Sequence, residues 1–170
     1  MQIDLHDIVT EEFQQQMQNS FARLSGFGVV FTDSEGVHIG KGGNFTRFCQ
    51  AINCREDGAG CCALTNRQAI RLALDSPQPN RPAIFVCHAG LVNIELPILH
   101  EGKCLGAFTA GQVLCEEDCY PKDNSPSSIN WQDDPELVEY YKEIPVLSRK
   151  QIENTADLMC DLAQYMIENH

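Results

Sequence analysis

Apolar positions along the chain change period several times, and each change marks an element. From residue 5 to 24, Leu5, Val9, Phe13, Met17, Phe21 and Leu24 recur at three- and four-residue steps over a polar background, which predicts an amphipathic helix. Gly26 and Gly28 end that stripe. The run GFGVVFTD then reads as a strand, Asp33-Ser34-Glu35-Gly36 as a tight turn and VHIG as the returning strand. Gly40, Gly42 and Gly43 close this hairpin, and a short helix is expected near Thr46 to Ile52.

Helical spacing returns between Gly60 and Leu74. There Cys62, Asn66, Ala69 and Ala73 share one stripe, which turns Cys62 inward. SPQPNRP is a proline-rich loop, and AIFVC, LVNIELPIL and CLGAFTAGQV follow as three strands. In the middle one Val92, Ile94, Leu96 and Ile98 alternate with Leu91, Asn93, Glu95 and Pro97. His100-Glu101-Gly102-Lys103 turns the chain between the last two strands. A loop of about 18 residues, Glu116 to Asp133, is long for a compact domain, a length that points to function, mobility or both. Asp134-Pro135 opens a short helix, and Ser148 with Gln151 forms a capping-box pattern ahead of a last helix. Ile152, Ala156, Met159, Ala163 and Met166 make the inward stripe of that helix.

Helix, two strands, inserted helices, three antiparallel strands, helix is the element order of PAS-like and GAF-like sensory domains. The expected fold is therefore α+β, a five-stranded antiparallel sheet with inserted helices and flanking terminal helices around a small pocket. A single domain over residues 1–170 is expected. It divides into a helix at 1–24, the sheet with its insertions at 26–113, an acidic loop at 114–133 and helices at 134–168. The two terminal helices, over 5–24 and 152–167, are the expected interface of a homodimer.

Composition narrows the function. The 170 residues are 43% hydrophobic and carry 12 basic against 24 acidic side chains, a net charge of −12. That balance argues against direct nucleic-acid binding, which needs clustered Lys and Arg. Nine acidic residues and two basic ones lie between Cys115 and Glu143. No run approaches ~18 apolar residues, so no membrane span is expected. The opening MQIDLHDIVTEEF lacks the basic and apolar regions of a signal peptide, so a cytoplasmic location is expected.

Nine cysteines are the anomaly, and Cys49, Cys54, Cys61, Cys62 and Cys87 fall close together. In a reducing compartment, clustered thiols point to metal or redox chemistry, whereas an isolated buried thiol such as Cys104 or Cys160 is a small hydrophobe. Cys49, Cys62 and Cys87, with Cys54 or Cys61 as a fourth, would supply thiolates to zinc or to an iron–sulfur cluster. Their spacings match no zinc ribbon or ferredoxin run, so pocket or core thiols are the competing reading. Cys115-Glu-Glu-Asp-Cys119 is a second candidate group, against a plain acidic loop. His88 directly follows Cys87 on a strand, so the two are expected on opposite faces and not as a nucleophile–base pair. Asn93 and Glu95 share a face, either of a pocket or of a solvated sheet. No Ser-His-Asp order, P-loop or Rossmann fingerprint is present, and no catalytic residue is assigned.

The segments FCQAINC (48–54), CCALTNRQA (61–69), CHAGLVNIELPI (87–98) and GAFTAGQV (106–113) resemble the PocR ligand-binding domain. That family is a PAS-like sensory module of bacterial transcription regulators and signalling proteins. The resemblance runs from the first helix to the end of the last strand. It implies a non-enzymatic sensor of small organic molecules, with short diols and glycerol the suspected ligands. It also implies that this chain is the sensory part of a regulator, or a stand-alone sensor acting on another protein. Cys49, Cys62 and Cys87 match the family's cysteines, and His88 and Gln112 match its polar positions. The pocket expected from this is lined by Cys62, Cys87, His88 and Gln112, with Gly106 and Gly111 leaving space. Cys54, Cys61, Cys115 and Cys119 are additions to the pattern.

Overall fold

The computed structural model describes residues 3–78, 80–123 and 129–168, the side chains of 166–168 excepted. Five strands form one antiparallel sheet in the order β2-β1-β5-β4-β3: β1 Gly28–Asp33, β2 His38–Gly43, β3 Ala83–Val86, β4 Val92–His100 and β5 Lys103–Cys115. A two-residue strand, β6 (Val146–Leu147), adds parallel to the end of β5. Between β2 and β3 the chain crosses one face of the sheet as α3 (Arg47–Asn53) and α4 (Glu56–Leu74). This is the α+β, PAS-like architecture expected from the element order.

The alternation of β4 decides what each face is for. Ile94, Leu96 and Ile98 pack with Val29, Phe31, Phe108 and Ala110 against the terminal helices, in one hydrophobic core. Asn93, Glu95 and Thr109 turn to the other face, which α3 and α4 cover. Pro97 sits in β4 beyond the last β3 pairing, Ala83 with Glu95, so its missing N–H leaves no ladder bond unmade on that side. Glu101 and Gly102, both at positive φ, make the two-residue turn into β5.

The first helix differs from the expectation. Two helices stand where one was predicted, α1 (Leu5–Ile8) and α2 (Glu11–Ser25). The break has a cause in the sequence: the Thr10 hydroxyl accepts the Phe13 N–H at 3.3 Å and restarts the helix behind its own N-cap. The restart rotates the stripe, so Phe21 and Ala22 face the sheet while Leu24 is 76% exposed. Two further boundaries move. β2 runs through Gly40 and Gly42 and ends at Gly43, the last of the three glycines, and α4 begins at Glu56, four residues early, with Glu56 and Asp57 placed favourably in its first turn.

Helix α5 (Pro135–Tyr141) follows the Asp134 cap, and α6 (Arg149–Glu168) opens on the Ser148–Gln151 capping box. Ile152, Ala156 and Met159 are buried on the sheet and Ala163 packs at the edge; the Met166 side chain lies outside the described residues. So does the 124–128 part of the long acidic loop. Among the described residues no helix is long and apolar enough to cross a membrane.

Candidate ligand-binding site

The face of the sheet under α3 and α4 is not closed by packing. Gly28, Val30, Asn93, Thr109 and Gly111 form the floor of a cavity of ≈50 Å³. Cys49 and Asn53 of α3, and Cys62, Thr65 and Asn66 of α4, form its roof; Cys87 and His88 close one end, and His38 and Gln112 also line it.

Glycines shape the floor by what they admit. A Cβ at Gly111 would stand 1.8 Å from the Asn93 Oδ1, and one at Gly28 would meet the Gln112 carboxamide at 2.6 Å. Both glycines thus make room for a polar side chain to lie flat on the sheet. Gly106, expected to open the pocket, instead abuts the β1 backbone, where a Cβ would meet the Thr32 carbonyl oxygen at 2.2 Å. Gly36, at φ +82°, lets the β1–β2 turn touch the α4 backbone, and Asn66 Nδ2 donates to its carbonyl at 3.1 Å.

Gln112 occupies the extra position of a β-bulge, because Val92 pairs Val113 while Asn93 pairs Gly111. It adopts φ +66°, its N–H donates to Asn93 Oδ1 (3.3 Å), and its Oε1 accepts the Thr46 N–H at 2.7 Å. Thr46 is the N-cap of α3. Gln112 therefore lines the cavity and also ties the helix above it to the sheet below.

Cys87 and His88 do not continue β3. Gly90 N–H donates to the Cys87 carbonyl at 2.9 Å and Cys87 N–H to the Leu91 carbonyl at 2.8 Å, so the chain turns at Cys87. Strand alternation stops applying there, and both residues line the same cavity. The expectation that they face apart is corrected by this turn. His88 does meet a thiol, but that of Cys62, whose Sγ lies 3.3 Å from Nε2. Its Nδ1 is buried and finds no partner among the described residues.

Burial sets the charge state. It pushes the Cys62 thiol up to about 12, and raises Cys49 and Cys87 also. It lowers the His88 imidazole, against the pull of Asp123. The Cys62–His88 contact is thus a neutral pair, not a thiolate–imidazolium. Behind the floor, Glu95 is fully buried; its carboxyl is raised to about 8 by desolvation, and Oε2 accepts the Thr109 hydroxyl at 2.9 Å.

Three of the four cysteines considered for a metal, Cys49, Cys62 and Cys87, line the cavity; Cys54 is exposed and outside it. Among the described residues no group of three or more His, Cys, Asp or Glu side chains is placed to hold a metal ion. Sequence reasoning missed His38, Asn53 and Thr65 of the lining, which the hairpin and the two helices bring in from separate segments.

A cavity roofed by two inserted helices, with the CHAGL turn at one end, is where the family resemblance placed a ligand pocket. The family described as a sensory domain found in PocR matches residues 7–170. The chain belongs to the PocR sensory-domain family. A curated relative, the regulatory protein PocR of Salmonella typhimurium, is 27% identical over 151 residues, which cover 89% of this chain and 49% of the relative. The PocR-type chain thus spans about half the length of that relative. No solved structure gives a significant match.

Proposed function

We propose that this PocR domain senses a small, neutral, hydroxyl-bearing molecule, a short diol or glycerol, bound in the cavity under α3 and α4. The observation that carries the reading is the unpartnered Nδ1 of His88. With Nε2 engaged by Cys62, either tautomer leaves Nδ1 with an unused donor or acceptor, and a ligand hydroxyl serves both.

Size and charge support the same class. One water needs roughly 10–15 Å³ of such volume, so ≈50 Å³ suits about three to five water-sized groups. Among the described residues the lining holds no Asp, Glu, Lys or Arg, and burial keeps its thiols and its two imidazoles, His38 and His88, neutral. A carboxylate or ammonium ligand would lose its hydration there without a counter-charge. The same neutral pair argues for recognition over catalysis, since the Cys62 thiol is far from ionised at neutral pH. The chain is then the sensory part of a cytoplasmic bacterial regulator, and binding shifts the population of a larger assembly. A homodimer through α2 and α6 belongs to this proposal, using what those helices leave exposed, Leu24 and Tyr165 included; a monomer in sedimentation at micromolar concentration counts against it.

Few contacts limit affinity. At a ceiling of about 1.5 kcal/mol per heavy atom, a five-atom diol reaches roughly 7 kcal/mol, a Kd near ten micromolar at best. Thermal-shift and calorimetric titrations with 1,2-propanediol, glycerol, ethanolamine and acetate test the reading. The diol and triol should raise the midpoint, by about 2.7 kcal/mol of stabilisation at 100 times Kd, and the charged pair should not. His88→Phe, which fills the site without a polar atom, should abolish the response. If neither alcohol shifts the wild-type midpoint, the reading fails.

A further inference from the structure

Two glycines pair directly across the cavity floor, Gly28 of β1 with Gly111 of β5. Each has a carboxamide lying on it. A Cβ at Gly28 would meet the whole Gln112 amide, its Nε2 included at 2.9 Å, and one at Gly111 would meet the Asn93 amide carbon at 2.6 Å. Directly paired Cβ positions stand about 5 Å apart, so the two amides lie side by side on the sheet.

Backbone donors fix which end of each amide is which. Gln112 Oε1 accepts the Thr46 N–H at 2.7 Å, and Asn93 Oδ1 accepts the Gln112 N–H at 3.3 Å. Only the oxygen of a carboxamide accepts, so it is the NH2 group that is left over at both residues. Among the described residues neither nitrogen has a hydrogen-bond partner, and neither is sealed inside the protein. Both residues line the cavity, and there the two NH2 groups are open. His88 Nδ1 offers a donor or an acceptor according to its tautomer; the amide pair offers hydrogens only. One oxygen with two lone pairs answers both donors, and a carbonyl oxygen does so without bringing a hydrogen of its own that needs a partner.

We propose that the Asn93 and Gln112 carboxamides are a donor site for a second ligand oxygen, so that the domain recognises short two-oxygen compounds and takes a carbonyl there as readily as a hydroxyl. This rests on the reading that the cavity holds a small neutral molecule with one hydroxyl at His88. It widens the ligand class from diols to small hydroxyketones, and it gives the brace between β5 and α3 a second task. The oxygen of each amide holds the fold, and its nitrogen reads the ligand.

The test compares three compounds on the wild-type chain by titration calorimetry. They are 1,2-propanediol; hydroxyacetone, which has a carbonyl in place of one hydroxyl; and 1-propanol, which lacks the second oxygen. Hydroxyacetone should bind within about threefold of the diol, and 1-propanol about tenfold more weakly, the worth of one or two net hydrogen bonds. Asn93→Asp and Gln112→Glu keep the oxygen that meets the backbone N–H and replace the NH2 with a second acceptor. Each should raise the Kd of hydroxyacetone several-fold more than that of the diol, which has a hydrogen to give. Equal losses for the two compounds would make the amides braces alone and overturn the inference. A wild-type chain that binds the diol but not hydroxyacetone, or holds 1-propanol as tightly as either, also overturns it and leaves diol sensing standing. A chain that binds none of the three overturns both readings.

Discussion

On β4, neighbours in sequence have opposite surroundings. Ile94 and Leu96 lie in an apolar core with Phe31 and Phe108, whose rings are 4.8 Å apart, and Phe21 meets Phe108 edge-on at 5.4 Å. On the other face of the same strand, Asn93 lines the cavity with Thr109, Gln112 and the thiols of two helices, and Glu95 accepts the Thr109 hydroxyl behind that floor. The outer face is filled by side chains of one chemical kind, which interchange at modest cost. The inner face is filled by polar groups, each needing its own partner, and it stops short of closure. Stability can therefore be read on one side of the sheet and recognition on the other.

The comparison breaks most visibly if its strong side is weakened. Phe108→Ala removes the ring at the centre of the outer core and should cost about 3–5 kcal/mol in urea unfolding. A loss below 1 kcal/mol would mean that the outer face is not what holds the fold. A change of similar order, reached by pH, should come from Glu95. Its folded pKa, about 8, lies above the ordinary 4.5. The folded state therefore holds this proton more tightly, and stability falls as pH rises from about 4.5 through about 8. Burial of His38 and His88 lowers those imidazoles and acts with the opposite sign below about pH 6.5. The difference between wild type and Glu95→Gln isolates the carboxyl: unfolding curves of the variant should gain on wild type by a few kcal/mol between pH 5 and 8. Parallel curves would show that the carboxyl is ionised in the fold or open to water.

Gln112→Ala sharpens the comparison on a smaller scale. It strands the Thr46 N–H, which should lower stability by about 1–2 kcal/mol, and it should weaken the response to 1,2-propanediol more than to urea. An unchanged diol titration would leave Gln112 as a brace and remove it from the binding site. Smallest of all is Arg47→Ala. The Arg47–Glu143 pair is exposed, so thermal unfolding should stay within measurement error; a clear loss would mean that the surface carries stability which this comparison assigns to the core.

Period alone reveals the two faces of β4, because alternation is local. Which helices cover each face is not local, so sequence leaves Asn93 and Glu95 open between pocket and solvent, and α4 packed over β4 decides against solvent. The cysteines of the cavity were legible as motif positions. The contact between His88 and Cys62 is not, because the strand pattern continues through Cys87 in sequence; Ala89-Gly90 is the available sign that the chain turns there. The helix break at Thr10 was also available, in a threonine followed by two glutamates. The bulge at Gln112 had no such sign: a glutamine at positive φ is held by Thr46 and Asn93, residues 66 and 19 positions away.

The aromatic lid over the CHAGL turn has a practical consequence. The single tryptophan of the chain, Trp131, donates its indole N–H to the Ala89 carbonyl at 3.1 Å, next to His88, and stacks on Tyr141 with ring centroids 4.3 Å apart. Phe48, from the helix that roofs the cavity, closes on its edge at 5.3 Å. One native fluorophore therefore stands one peptide unit from the group proposed to receive the ligand. Occupancy can be followed by emission from unlabelled protein, at concentrations far below those calorimetry needs, with no dye added to a chain that carries nine cysteines.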